Sequence, residues 1–365
     1  MKILMTTDTI GGVWTYAIEL SRALAAHEVS VALATMGTPL SPDQRNAVSQ
    51  LPNVEVFESQ YRLEWMQDPW NDVAQAGDWL LQLADQTEAE LVHLNGYAHG
   101  ALPWRVPTLM VGHSCVLSWF AAVRRHAPGP EWDRYRDEVR RGLQAADLVV
   151  APTSAMLDEL DRYYGPLRAQ RVIFNGVTPD NFHVGKKEPA ILAAGRLWDE
   201  AKNVAALAAV APQLLWPVHV AGDNQHPEGK RNELAHVEWL GWLSAPEMAD
   251  QFARAAIYAL PARYEPFGLS VLEAALSGCA LVLGDIATLR ELWGDVAWFV
   301  PPDDQQQLVE TLQLLCGNSQ RRQEYAERAR QRAQVFTAAR MAEHYHFAYQ
   351  ELLAERSPAA VKEYA

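Results

Sequence analysis

Glu265 and Glu273 stand with seven residues between them in EPFGLSVLE, and Gly268 falls in that interval. The apolar run ending at Leu260 reads as a strand, Glu265-Pro266-Phe267-Gly268 as a loop, and Leu269 to Leu276 has the apolar spacing of a buried helix. The loop therefore delivers the chain to a helix N-terminus. Free N–H groups and the positive end of the helix dipole make such an end an anion site, and glycine, lacking a Cβ, lets a phosphate approach the backbone. A diphosphate suits Gly268 and this N-terminus. Carboxylates accept hydrogen bonds from hydroxyls and repel phosphate, so Glu265 and Glu273 are expected to recognise sugar or ribose hydroxyls.

Two cations follow another short apolar run, in ILAAGRLWDEAKN. Arg196 and Lys202 would lie at the C-terminal edge of a parallel sheet, where the ligand crevice opens, and would neutralise a diphosphate leaving group as its charge grows. A salt bridge at a helix start is the alternative use of Lys202. Gly11 and Gly12 sit in the loop between the first strand and the first helix. Trp14 and Thr15 break the G-x-G-x-x-G fingerprint there, which argues against a nicotinamide enzyme. His113, with Ser114 beside it, ends the apolar run Leu109 to Gly112, another crevice position. Arg124, Arg125, Arg134, Arg136, Arg140 and Arg141 form a basic stretch, but Glu131, Asp133, Asp137 and Glu138 among them predict a solvated, salt-bridged helix rather than an anion-binding surface.

EPFGLSVLE resembles the Glu-x7-Glu motif of the family 4 retaining glycosyltransferases, and Gly278, Asp285 and Glu291 sit where that family usually has them. The likeness extends over most of the chain. It implies a GT-B fold, with two doubly wound Rossmann-like domains facing a central cleft. It also implies that Glu265 contacts the donor sugar, Glu273 the ribose, and the Phe267-Gly268-Leu269 backbone the diphosphate. The Gly-Arg-Leu segment with its following lysine resembles the family's phosphate-binding pair, here one residue longer with Ala201 as the insertion. The Gly11-Gly12 loop is similar to one that approaches the donor phosphates, and GHSCVLSW resembles the segment whose histidine lines the donor-sugar pocket. VHVAGD and the Gly241-Trp242 turn occupy places where backbone groups hold the nucleotide base. Trp242 there either stacks on the base or is simply buried.

The elements that must position these residues alternate in type. Short apolar strands at Met1–Thr6, Val29–Thr35, Val54–Glu58, Leu91–Asn95, Pro107–Gly112, Asp147–Pro152 and Arg171–Asn175 are separated by helical stretches, the signature of parallel βαβ units. After a polar stretch around Val184 to Pro189 the pattern restarts at Ile191–Ala194 and continues through Val218–Ala221, Val237–Leu240, Ile257–Leu260, Ala280–Leu283 and Ala297–Val300. This predicts an acceptor-side domain over 1–178 and a nucleotide-sugar-binding domain over 179–344, with a C-terminal helix at about 345–365 packing back on the first.

The chain has 365 residues, a formal net charge of −14 and 21% charged residues, which suits two globular domains and disfavours nucleic acid or an anionic membrane as main partner. Its three cysteines, widely spaced and without a C-x-x-C pair, support neither a zinc site nor a disulfide framework and suit a reducing cytoplasm. No signal peptide or apolar run of membrane-spanning length is visible, so a cytoplasmic location is expected. The reading is a hexosyltransferase that moves a hexose from a nucleoside-diphosphate sugar, UDP-sugar favoured, to an acceptor hydroxyl with retention. It needs no metal, because cations of the chain replace it and no Asp-x-Asp triplet is present, and no cofactor, the nucleotide sugar being a substrate. His113, Glu265, Arg196 and Lys202 are its expected catalytic residues. A silent nucleotide-sugar binder and a nucleotide-sugar epimerase are the alternatives.

Overall fold

The computed structural model describes residues 1–225, 229 and 234–356; the end of the expected C-terminal helix, 357–365, lies outside them. The chain divides into two units. Unit 1 comprises Met1–Ala121, His126–Gly176 and the segment starting at Ala338, and unit 2 comprises Ala122–Arg125 and Val177–Thr337.

Unit 1 is built on strands β1 (Lys2–Asp8), β2 (Ser30–Met36), β3 (Val54–Glu58), β4 (Leu91–Leu94), β5 (Thr108–Val111), β6 (Leu148–Ala151) and β7 (Gln170–Val172). They form one seven-stranded sheet in the order β3-β2-β1-β4-β5-β6-β7, parallel at every pairing. β4, β5 and β6 are buried along their whole length. Burial on both faces is why their sequences read as unbroken apolar runs rather than as alternation. Helix Gly12–Leu24 and helix Ala338–Glu355 pack together, and Tyr345, Ala348 and Tyr349 enter the same core as Tyr16, Leu20 and Val111.

Unit 2 repeats the plan with β8 (Glu188–Ala194), β9 (Val218–Ala221), β10 (Glu238–Gly241), β11 (Ala255–Leu260), β12 (Ala280–Gly284) and β13 (Trp298–Val300). Its six strands run in the order β10-β9-β8-β11-β12-β13, again all parallel. In each sheet the order reverses once, between β1 and β4 in unit 1 and between β8 and β11 in unit 2. Loops leaving the carboxyl ends of strands on either side of such a reversal diverge to opposite faces and open a crevice. Within unit 2 the two ends of its main segment are tied by a parallel bridge between Val177 and Thr337 and by the Val177 N–H donating to the Phe336 carbonyl at 3.3 Å.

Arg124 and Arg125 of the basic stretch fall outside the expected helix and belong to unit 2, where they pair with Glu200 and Asp303. The other four arginines lie on helix Asp133–Ala145, three of them paired along its surface: Arg136 with Asp133 at 2.9 Å, Arg140 with Asp137 at 3.5 Å and Arg141 with Glu138 at 3.4 Å. These are the local i,i+3 contacts of a solvated helix. Among the described residues no helix is long and apolar enough to cross a membrane.

Candidate functional site

In unit 2 the chemistry gathers on the loops after β8 and β11, the two strands flanking the reversal. The eight residues of helix Leu269–Leu276 bury Val271, Leu272, Ala274, Ala275 and Leu276, at about 1.5–3 kcal/mol for each large apolar side chain. That burial fixes the helix axis and so the direction of its N-terminus. Gly268 is the N-cap in the left-handed region, φ +86°, and no side chain caps the helix. The Val271 N–H donates to the Gly268 carbonyl at 3.0 Å, and the N–H groups before it stand too near the helix start for an i−4 acceptor within the helix, which leaves this end set for an anion.

A Cβ at Gly268 would stand 3.0 Å from Val271 Cγ2 and 3.3 Å from Glu265 Cγ. Gly268→Ala is therefore expected to lower the stability of unit 2 by about 1–3 kcal/mol through backbone strain and crowding. Thermal unfolding followed by circular dichroism checks it, and an unchanged melting temperature would contradict the strained turn.

Glu265 is 7% exposed, and its backbone carbonyl accepts a 2.6 Å hydrogen bond from Thr288 Oγ1. Its carboxylate makes an ion pair with Lys202, both side chains nearly buried. The turn that carries Lys202 is held from several sides. Asp199 Oδ1 accepts from the Ala201 N–H at 3.0 Å, and the Ala201 carbonyl accepts from the Arg263 N–H at 2.8 Å. Asn203, at φ +55° and buried, donates through Nδ2 to the carbonyls of Pro261 at 2.9 Å and Pro302 at 2.7 Å. Ala201, the apparent insertion, is thus the residue whose carbonyl clips this turn to the β11 loop. Asp199 and Asn203 are positioning residues that the sequence reading missed; an Asp two residues before the N–H it caps was the available signal.

Arg196 is half-buried, 3.1 Å from Asp199 through Nη2, with its guanidinium carbon 5.3 Å from the Trp198 ring centroid. Glu273 lies on the second turn of the helix. Buried Tyr258, which donates to Ser270 Oγ at 2.8 Å, registers both glutamates: burial first, and then the charges of Glu265 and Glu273, push its hydroxyl above the ordinary tyrosine range. Phe267 is buried, and Leu269 is half-buried against the same core. Trp242 follows Gly241 at the end of edge strand β10 and is 62% exposed, so burial, one of its two expected fates, is ruled out.

Unit 1 places Gly11 and Gly12, both exposed, at the start of helix Gly12–Leu24, with Gly11 at φ +87° and no side-chain cap. Thr9 Oγ1 receives the Thr38 N–H at 3.0 Å and so ties this loop to the one after β2. His113 follows β5. Its Nε2 lies 2.8 Å from Asn95 Oδ1, at the end of β4, and its ring stands edge-on to Tyr16 with centroids 4.5 Å apart. Burial pushes the His113 imidazole down to about 3, so it is neutral at physiological pH. Ser114 is exposed, and its carbonyl accepts from Tyr97 Oη at 2.7 Å. Among the described residues no group of His, Cys, Asp and Glu could hold a metal ion.

Residues 10–181 match the family described as Glycosyltransferase Family 4, and residues 188–318 match Glycosyl transferases group 1. Glycogen synthase of Mycobacterium tuberculosis is 28% identical over 234 residues, which are 55% of this chain and 56% of that protein. The chain thus spans about half the length of this curated relative. O-antigen chain mannosyltransferase C of Escherichia coli is 29% identical over 136 residues, covering 36% of this chain and 37% of that one. Among solved structures, sucrose-phosphate synthase from Thermosynechococcus elongatus superposes with a TM-score of 0.82 at 18% identity, over 97% of this chain and 99% of that one. Anabaena HepE in complex with UDP-glucose superposes with a TM-score of 0.76 at 18% identity, over 96% of this chain and 100% of that one. The two parallel α/β units are those of the GT-B fold, and with the two matched regions together spanning most of its length, the chain belongs to the group 1, family 4 glycosyltransferases.

Proposed function

We propose that the chain is a hexosyltransferase that takes a hexose from a nucleoside-diphosphate sugar, a UDP-sugar in preference, to an acceptor hydroxyl, with retention at the anomeric carbon and without a metal. The observation that carries this reading is the juxtaposition in unit 2 of the Lys202–Glu265 pair with the uncapped helix start at Gly268. A cation and a row of backbone donors suit a diphosphate, while a buried carboxylate beside them suits a sugar hydroxyl.

The roles follow. The N–H groups from Gly268 onward, with Arg196 and Lys202, stabilise the departing nucleoside diphosphate, doing electrostatically what a divalent ion does in metal-dependent transferases. Glu265 binds the transferred sugar, Glu273 the ribose, and Trp242 stacks on the base. Gly11, Gly12 and His113 of unit 1 are assigned to the donor and its sugar, and a carbohydrate or other hydroxyl compound is the acceptor. The Glu265-to-Glu273 motif, resembling that of retaining enzymes, supports retention. The UDP-glucose bound in Anabaena HepE, a relative in fold, supports a UDP-sugar. Cys115, Cys279 and Cys316 are buried thiols outside any disulfide, which suits a reducing compartment such as the cytoplasm.

Isothermal titration with UDP, followed by NMR of the products formed from UDP-glucose and candidate acceptors, tests the reading. Binding of UDP and a product with the donor's anomeric configuration are expected; an inverted product would overturn retention, and no UDP binding would overturn the whole. Glu273→Ala is expected to weaken UDP binding about 10- to 100-fold, the range for a hydrogen bond to a charged group. An unaltered titration would remove the ribose role.

A further inference from the structure

We propose that Asn95 is a positioning residue that fixes His113 as the Nε2–H tautomer and thereby turns its Nδ1 into a hydrogen-bond acceptor for a sugar hydroxyl. The inference rests on the functional reading above for its ligand, and on unit 1 alone for its geometry.

The amide of Asn95 has one orientation that satisfies its neighbours. Its Nδ2 lies 2.7 Å from the Thr6 carbonyl oxygen, which can only accept, while its own backbone N–H donates to Thr6 Oγ1 at 2.9 Å. Turning the amide over would set Oδ1 against that carbonyl oxygen, acceptor against acceptor. Oδ1 must therefore be the atom that faces His113, 2.8 Å from Nε2. A carbonyl oxygen cannot donate, so the proton of that hydrogen bond belongs to Nε2. Because burial holds the ring neutral, Nδ1 keeps its lone pair. Tyr16, edge-on to the imidazole, holds the plane in which that lone pair points.

The anchor of this arrangement is rigid. Thr6 is buried within β1, and β1 pairs with β4 through Met5 and His93, so the Asn95 backbone is set by the sheet itself. A neutral ring offering a lone pair repels phosphate oxygens and accepts from hydroxyls. The group recognised is accordingly a hydroxyl of the transferred sugar or of the acceptor, and not the diphosphate.

Nitrogen-15 NMR of the unliganded protein reads the tautomer directly, with His113→Asn used to assign the signals. In the unmutated protein Nε2 should have a pyrrole-like shift and Nδ1 a pyridine-like one near neutral pH. Asn95→Leu should shift these signals toward a mixture of tautomers and lower kcat/KM with UDP-glucose about 10- to 100-fold, the scale of one misdirected hydrogen bond, while leaving the Kd for UDP unchanged. A protonated Nδ1 in the unmutated protein would overturn the proposal, and this arm needs no variant to fold. Asn95→Leu that changes neither tautomer nor kcat/KM would overturn it as well. Failure of UDP to bind the unmutated protein would instead bring down the functional reading, the tautomer being decided by the spectrum.

Discussion

Lys202→Ala is expected to slow sugar transfer about 10²- to 10³-fold, the usual cost of removing one preorganised group that stabilises developing charge, and to destabilise unit 2 by about 1–3 kcal/mol. The second figure lies between the value for exposed ion pairs and that for fully buried ones, because the Lys202 and Glu265 side chains are 15% and 9% exposed. Removing the ammonium strands the carboxylate of Glu265 in a site that water hardly reaches. Two effects of one substitution would ordinarily be hard to separate, but the pair allows it. Lys202→Met combined with Glu265→Gln replaces both charges, so neither group is left uncompensated, and stability should largely return. Transfer should not return, since the leaving diphosphate still lacks its cation.

Glu265→Gln alone sharpens the distinction. In the unliganded protein Glu265 occupies the ammonium that the diphosphate is proposed to use. Neutralising the carboxylate frees that ammonium, so UDP should bind more tightly even as transfer falls for want of the sugar contact. Calorimetry with UDP and a UDP-release assay measure the two quantities on the same preparation. Should the double variant recover transfer along with stability, Lys202 would be no more than a structural partner of Glu265.

Most of the frame of this molecule is written in its sequence. The fully buried strands β4, β5, β6, β11 and β12 appear as short apolar runs because a parallel sheet covered on both faces leaves no polar side to alternate with. Gly268 was legible on the same physical grounds, from an apolar strand, a polar loop and a buried helix in succession. The contacts that place Lys202 were not. Ala201 reads as an insertion because its role is played by a backbone carbonyl, and no side chain advertises a carbonyl that accepts from Arg263. Asn95 escaped notice for a related reason. Its significance depends on Thr6, which is remote in sequence and meets it only because β1 and β4 are neighbours across the point where the strand order reverses. The local pattern that predicts β4 carries no information about what lies beside its end.

Acid should loosen unit 1 before ordinary carboxylate titration begins, and the cause is a set of histidines, His93, His99 and His113, kept neutral by burial. His93 is 0% exposed within β4, with Nδ1 2.7 Å from Tyr349 Oη and Nε2 3.2 Å from Tyr16 Oη. Burial lowers it to about 3, aided by His113, which burial likewise holds at about 3. In the unfolded chain both would titrate near 6.5. Between about 6.5 and 3 the unfolded state therefore binds protons that the folded state refuses, and stability is lost as pH falls through that window, at up to ~1.4 kcal/mol per pH unit for each histidine. Glu64 works the other way. Burial raises its carboxyl against the opposing pull of the Ala98 and Tyr97 N–H groups, so it gives back some stability as the pH approaches its range from above. In the window from about pH 6.5 to 5 the unfolded histidines begin to take up protons while ordinary carboxylates stay ionised. Hydrogen exchange followed by mass spectrometry over β4, β5 and helix Ala338–Glu355 should show protection falling across that window, while β8 and β11 of unit 2, in which no histidine among the described residues is buried, hold theirs. His93→Gln, which cannot take up a proton, should lower the slope of unit 1 by up to ~1.4 kcal/mol per pH unit. Equal loss in both units, or none in unit 1 above pH 5, would mean that these imidazoles are not held neutral by the fold.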